Sequence, residues 1–125
     1  MTKDESISVL GEPLIACGDN PITGFFRDGH CNTCEEDHGS HTVCIETNKI
    51  FLDYSKEMGN DLSTPVLEYG FEGLKQGDTW CLCAARWLEA YNDGAAPRIY
   101  LSRTHQRALE IISLDLLKKF AVDLN

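Results

Sequence analysis

The stretch GDTWCLCAARWLEA, residues 77–90, decides how this chain is read. Strict alternation over its first half puts Trp80, Leu82 and Ala84 on one face of a strand and Cys81 and Cys83 on the other. Trp80, Ala84, Trp87 and Tyr91 also fall on one helical stripe. A strand to about residue 84 followed by a helix over 85–92, stopped at Asp93-Gly94, accommodates both patterns.

Working outward, HTVCIET (41–47) is rich in β-branched residues and reads as a second strand. His41, Val43 and Ile45 would share one face, and Thr42, Cys44 and Glu46 the other. Asn48 is placed to cap a helix over 49–58, in which Ile50, Phe51, Tyr54 and Met58 keep helical spacing before Gly59 ends it. Pro97 precedes a strand RIYLS (98–102), and Leu109–Ile112 has the apolar character of a short strand. Ser113 caps a last helix, 114–121, with Leu114, Leu117, Phe120 and Ala121 turned inward. Residues 10–40 are punctuated by Gly, Asn, Asp and Pro and form a loop-built segment anchored by Leu14, Ile15, Phe25 and Phe26. Strands and helices are mixed without βαβ alternation, which favours α+β.

The chain has 125 residues with 11 Lys and Arg against 20 Asp and Glu, a net charge of −9. Nucleic acid and anionic membranes are bound through clustered cations, so neither is an expected partner. No apolar run approaches the ~20 residues that span a bilayer. The opening MTKDESISVLG has no basic start and no apolar run, so the protein is expected in the cytoplasm with reduced thiols. A domain of this length buries roughly two-thirds of its unfolded surface, so its six cysteines are not required as staples.

The thiols admit three readings. On a strand, residues 81 and 83 are separated by roughly 6.6 Å and point in parallel, which strains a mutual disulfide but suits a shared metal. Cys31-Asn-Thr-Cys34 supplies a second pair at ligand spacing, so Cys31, Cys34, Cys81 and Cys83 form a candidate zinc site, with His30 able to replace one ligand. Alternatively Cys17, Cys44, Cys81 and Cys83 are small buried hydrophobes. Thiol redox chemistry is the third reading, although no helix signal follows Cys34 as a redox CxxC requires. The types needed for a Cys–His–Asn or Cys–His–Asp hydrolase are all present, but sequence does not show which of them meet.

The segments PITGFFRDGHC (21–31), DHGSHTVC (37–44), GNDLSTP (59–65), GLKQGDTWCLCAARWLEA (73–90), AAPRIYLSRTH (95–105) and ALEIISLDLLKKFA (108–121) resemble a family of small, mostly bacterial proteins, the domain of unknown function 2237. The resemblance covers nearly the whole chain from about residue 10. It matches the family pattern at Cys17, Thr23, Gly24, Arg27, Asp28, Cys31, His41, Cys44, Asn60, Asp61, Cys81, Cys83, Arg86, Trp87, Glu89, Thr104 and His105. Cys34 stands where the family usually has glycine, which makes the CxxC local to this chain. The resemblance implies a single-domain two-layer sandwich and brings no established activity. Joined to the element pattern, it gives an α+β fold. The expected form is a compact two-layer sandwich with a small, mostly antiparallel sheet, about three helices and long loops. Residues 1–8 are expected frayed and 9–125 to form one domain.

Two function classes follow. One is a binding module whose polar pocket is built by segments 21–41, 59–65 and 81–89. Arg27, Asp28, His41, Asn60, Asp61, Arg86 and His105 would be its ligand-binding residues, and a small molecule or a protein its partner. The other is a metal- or thiol-dependent enzyme using Cys31, Cys81 and Cys83 with His41 or His105.

Overall fold

A computed structural model describes residues 2–124. Three strands, β1 (Val43–Glu46), β2 (Thr79–Leu82) and β3 (Arg98–Ile99), form one antiparallel sheet in the order β2-β1-β3. Three helices, α1 (Lys49–Glu57), α2 (Ala84–Asn92) and α3 (Leu114–Lys119), accompany it. The fold is a small α+β fold, as the mixed pattern implies.

The caps are where the sequence places them. Asn48 accepts the Phe51 N–H at the start of α1, and Ser113 accepts the Leu116 N–H at the start of α3. β2 gives way to α2 at Cys83, within a residue of the expected boundary.

The pairing of β1 with β2 sets Val43 opposite Leu82, Cys44 opposite Cys81 and Ile45 opposite Trp80. Pleating then sorts the side chains by type. Val43, Ile45, Trp80 and Leu82 join Phe51 and Leu52 of α1, Trp87 and Ala90 of α2 and Leu117 of α3 in the main apolar core. Cys44 and Cys81 enter a separate small cluster with Cys17 and Cys31, to which the long loop before residue 40 contributes. Trp87 centres the main core: fully buried, it donates its indole N–H to the Pro97 carbonyl at 3.1 Å and meets the Phe120 ring edge-on.

The cysteine cluster corrects the expectation of reduced thiols. Cys17 is bonded to Cys44 and Cys31 to Cys81, while Cys34 and Cys83 remain free. The bonds join residues 27 and 50 positions apart, closing the loop-built segment onto β1 and β2. Such closure removes freedom from the unfolded chain, by roughly 3–4 kcal/mol for loops of this order in the chain-entropy account.

Two further expectations give way. Leu109–Ile112 is not a strand; residues Gln106–Glu110 form a 3₁₀ helix. Ala108 and Ile112 are buried while Leu109 and Ile111 between them are exposed, a helical spacing that the apolar composition alone did not resolve. The strand expected over 98–102 ends at Ile99 because Asp123 takes the Leu101 and Ser102 N–H groups, at 2.8 and 3.0 Å, out of any ladder. From Asp4 onward the N-terminal segment is bonded to the loop-built segment and to the 3₁₀ helix. Asp4 donates its N–H to the Thr33 carbonyl at 2.8 Å and pairs with Arg107, and the Ile7 carbonyl accepts the Gln106 N–H.

Protein isolated under oxidising conditions and unfolded without reductant is expected to titrate two thiols. Peptide mapping should find Cys34 and Cys83 alkylated and link Cys17 to Cys44 and Cys31 to Cys81. Any other linkage would contradict this connectivity.

Candidate functional site

Cys83 stands at the junction of β2 and α2, as the N-cap residue of α2. Its sulfur lies 3.5 Å from His41 Nε2. On the far side of the ring, His41 Nδ1 lies 2.6 Å from Asp37 Oδ1. The Asp37 side chain is fully buried, whereas His41 is 39% exposed. The other Asp37 oxygen, Oδ2, accepts the His41 N–H at 2.9 Å and the Thr33 hydroxyl at 2.9 Å, which fixes the carboxylate in place. A thiol, an imidazole and an orienting carboxylate therefore lie in sequence within hydrogen-bond reach, the geometry of an activated nucleophile.

The turn between Asp37 and His41 brings them together. The Ser40 N–H donates to the Asp37 carbonyl at 3.0 Å, and Ser40 adopts a left-handed backbone with φ of 50°. That conformation is uncommon for a residue with a Cβ, and such residues concentrate at functional sites. The Ala84 N–H donates to the Ser40 carbonyl at 3.0 Å, pinning the turn to the start of α2. Gly39 fits between: a Cβ there would sit 2.7 Å from the Cys83 sulfur and 2.9 Å from His41 Cε1. Phe25 stacks on the imidazole, with ring centroids 6.1 Å apart.

His41 is held up to about 9 from its ordinary 6.5. The hydrogen bond to Cys83 is the largest cause; burial opposes it, and the bond to Asp37 adds to it. At neutral pH the imidazole therefore favours its charged form.

The pair opens into a cavity of about 380 Å³ that Gly24, Arg27, Asn60, Leu62, Trp80 and Arg86 help to line. Arg27 lies over the Trp80 ring, 5.4 Å from its centroid. Arg86 reaches across the cavity edge to the Met58 carbonyl at 3.1 Å and to Glu89. A larger open groove of about 690 Å³ shares Arg27, Leu62 and Trp80 with this cavity and continues past Tyr69 and Phe71. The smaller cavity is the one that the Cys83 thiol and the His41 imidazole line.

The chain belongs to the DUF2237 family, uncharacterised proteins conserved in bacteria. The family's model matches residues 7–121. No curated protein matches it.

Of the residues singled out from this DUF2237 sequence, Arg27, His41, Asn60, Cys83 and Arg86 meet at the cavity. Asp28, Asp61 and His105 do not line it. Asp28 pairs with Lys3 and accepts from Asn32 and the His30 N–H; burial would raise its carboxyl, but these bonds outweigh it and hold the group low. Asp61 organises its own loop by accepting the Ser63 and Thr64 N–H groups. His105 is fully buried, with Nε2 bonded to the Glu5 carbonyl and Nδ1 accepting the Arg107 N–H; burial pushes it below its ordinary value. Its role is to cap a 3₁₀ helix and hold down the N-terminal segment.

The candidate zinc set also comes apart. Cys31 and Cys81 are bonded to each other, Cys34 is buried without a disulfide, and Cys83 faces His41. Asp37 and Gly39 were not singled out from the sequence. The segment Asp37-His38-Gly39-Ser40-His41 carried the available signal: an acid and an imidazole separated by a Gly-Ser turn.

Replacing Gly39→Ala is expected to push Cys83 and His41 apart with little loss of fold, read as slower alkylation of Cys83 and an altered His41 imidazole resonance. In an NMR titration His41 should titrate near 9 and fall toward 6.5 in Cys83→Ser, with a smaller fall in Asp37→Asn. The folded value exceeds the ordinary one. This contact's stabilisation is therefore full below about 6.5 and is lost as pH rises through about 9.

Proposed function

We propose that this protein is a thiol-dependent enzyme of the acyl-transfer class, with Cys83 as nucleophile and His41 as its base. One observation carries the reading: His41 bridges a cavity-facing thiol at 3.5 Å and a buried carboxylate at 2.6 Å. Cys31 and Cys81 are excluded from the chemistry by their mutual bond.

In the proposed cycle the Cys83 sulfur attacks a carbonyl carbon while the thiol proton resides on His41 Nε2. The tetrahedral intermediate collapses to a thioester, and the leaving group departs with the proton from His41. A water molecule, deprotonated by the same nitrogen, then hydrolyses the thioester and regenerates the thiol. Asp37 is a positioning residue: it presents Nε2 to the sulfur and stabilises the imidazolium.

The first turn of α2 supports the same reading. The Ala84 N–H is taken by Ser40, but the Ala85 and Arg86 N–H groups make no hydrogen bond among the described residues. A helix N-terminus favours negative charge, and these donors lie on the residues following the nucleophile, where an oxyanion would form. Arg27 and Arg86 on the cavity wall favour an anionic acyl group.

A second reading, a binding module with the same pocket, rests on the convergence of Arg27, Asn60 and Arg86. The two differ in whether Cys83 forms a bond.

Hydrolysis of mono-p-nitrophenyl succinate and of p-nitrophenyl acetate would distinguish them. Turnover with a succinyl adduct on Cys83 is expected, faster for the anionic ester. Cys83→Ala should abolish it, and His41→Ala should lower kcat by roughly 10²–10⁴-fold. Equal rates in Cys83→Ala and the parent protein would sink the nucleophile and leave the binding module.

A further inference from the structure

The buried cysteine cluster plays no part in that chemistry, yet four sulfurs converge there. The Cys17, Cys31 and Cys81 sulfurs all lie within 4.8 Å of one another. The Cys44 sulfur is bonded to that of Cys17, and the Cys44 and Cys81 backbones face each other across β1 and β2. We propose that Cys17, Cys31, Cys44 and Cys81, once reduced, form a tetrathiolate zinc site, so that the cluster exists either as two disulfides or as one closed metal centre.

The geometry favours this over four idle thiols. Zinc–sulfur bonds of about 2.3 Å place the sulfurs of a tetrahedron about 3.8 Å apart. Three of the four already lie within 4.8 Å of one another, so once the Cys17–Cys44 and Cys31–Cys81 bonds open, the sulfurs need only spread slightly to reach that spacing. The donor set is all sulfur, which selects zinc over hard cations such as magnesium or calcium. Each of the four residues is at most 2% exposed, and Tyr100 is the partly buried apolar residue packed against them. A site this closed leaves no open coordination position, as in structural rather than catalytic zinc.

The two forms answer the same structural need. The segments around residues 17 and 31 have little regular structure of their own and are tied to β1 and β2 through these sulfurs. A reducing compartment does not preserve disulfides. A metal bound by all four residues would hold the same segments there. In the conversion each disulfide takes two electrons and two protons from a dithiol reductant, which becomes a disulfide itself. Zinc then displaces the four thiol protons. An added disulfide oxidant reverses the sequence and releases the metal.

The test uses the full chain reduced with dithiothreitol, desalted without oxygen and supplied with zinc chloride. Elemental analysis should find about one zinc per chain. Cobalt chloride in its place should give the visible absorption of a tetrahedral thiolate site. Cys34→Ser/Cys83→Ser should retain the metal, and Cys17→Ser/Cys44→Ser should lose it. If the reduced apoprotein unfolds, zinc should restore its near-ultraviolet circular dichroism. Zinc binding no greater than in Cys17→Ser/Cys44→Ser, or binding abolished by Cys83→Ser alone, would overturn the proposal. Alkylation of Cys83, followed in the same samples, reports on the acyl-transfer site independently.

Discussion

The antiparallel pairing of β1 with β2 is the constraint on which everything else depends. Four residues pair on each side, and the register sets Cys44 opposite Cys81. Because alternate side chains leave a strand on opposite faces, that register sends the aliphatic and aromatic residues to the helices and the two cysteines to the loop segment. A slip of either strand by one residue would put its cysteine in the helical core and its large side chains on the loop segment's side. The crosslinks and the apolar core thus enforce the same register from opposite sides of the sheet.

Register also explains why the thiol and imidazole meet. Continued past its ends, the pairing of Val43 with Leu82 would set Thr42 opposite Cys83. His41 is then one step removed, and in an unbroken strand it would follow Val43 to the opposite face from Cys83. The strands instead end at Val43 and Leu82. The left-handed Ser40 turns the chain, Asp37 recaptures both the His41 backbone and its ring, and the imidazole swings onto the sulfur. The site depends on the break in β1, not on its regularity.

This division accounts for what the sequence revealed. Asn48 and Ser113 announced their helices because a cap is a local bond between a side chain and a backbone three residues on. Alternation in WCLC and TVCIE announced the sheet and the segregation of its faces for the same reason. Leu109–Ile112 misled because apolar character does not distinguish a strand from a tight helix when the buried positions, Ala108 and Ile112, lie four residues apart. The disulfides were illegible because six cysteines do not specify their partners. Argument from domain size pointed away from crosslinks, yet a loop segment of some thirty residues has too few ladder bonds to hold itself down. Arg27, His41, Asn60 and Arg86 were noticed by type; their assembly with Asp37 depends on contacts that no spacing encodes.

Electrostatics gives the cavity a character that composition hides. The chain carries a net charge of −9, which disfavours anionic ligands over most of its surface. Around Cys83 the balance reverses locally. Arg27 and Arg86 line the cavity, His41 favours its charged form at neutral pH, and the Ala85 and Arg86 N–H groups at the start of α2 have no partner among the described residues. Asp37, the carboxylate bonded to the imidazole, is buried behind the ring and committed to three hydrogen bonds. Under the proposed function an anion would therefore be repelled broadly and drawn to this one place. In a low-dielectric pocket those few cations count for more than the many dispersed carboxylates screened by solvent. That contrast, rather than the size of the cavity, is what would make Cys83 selective.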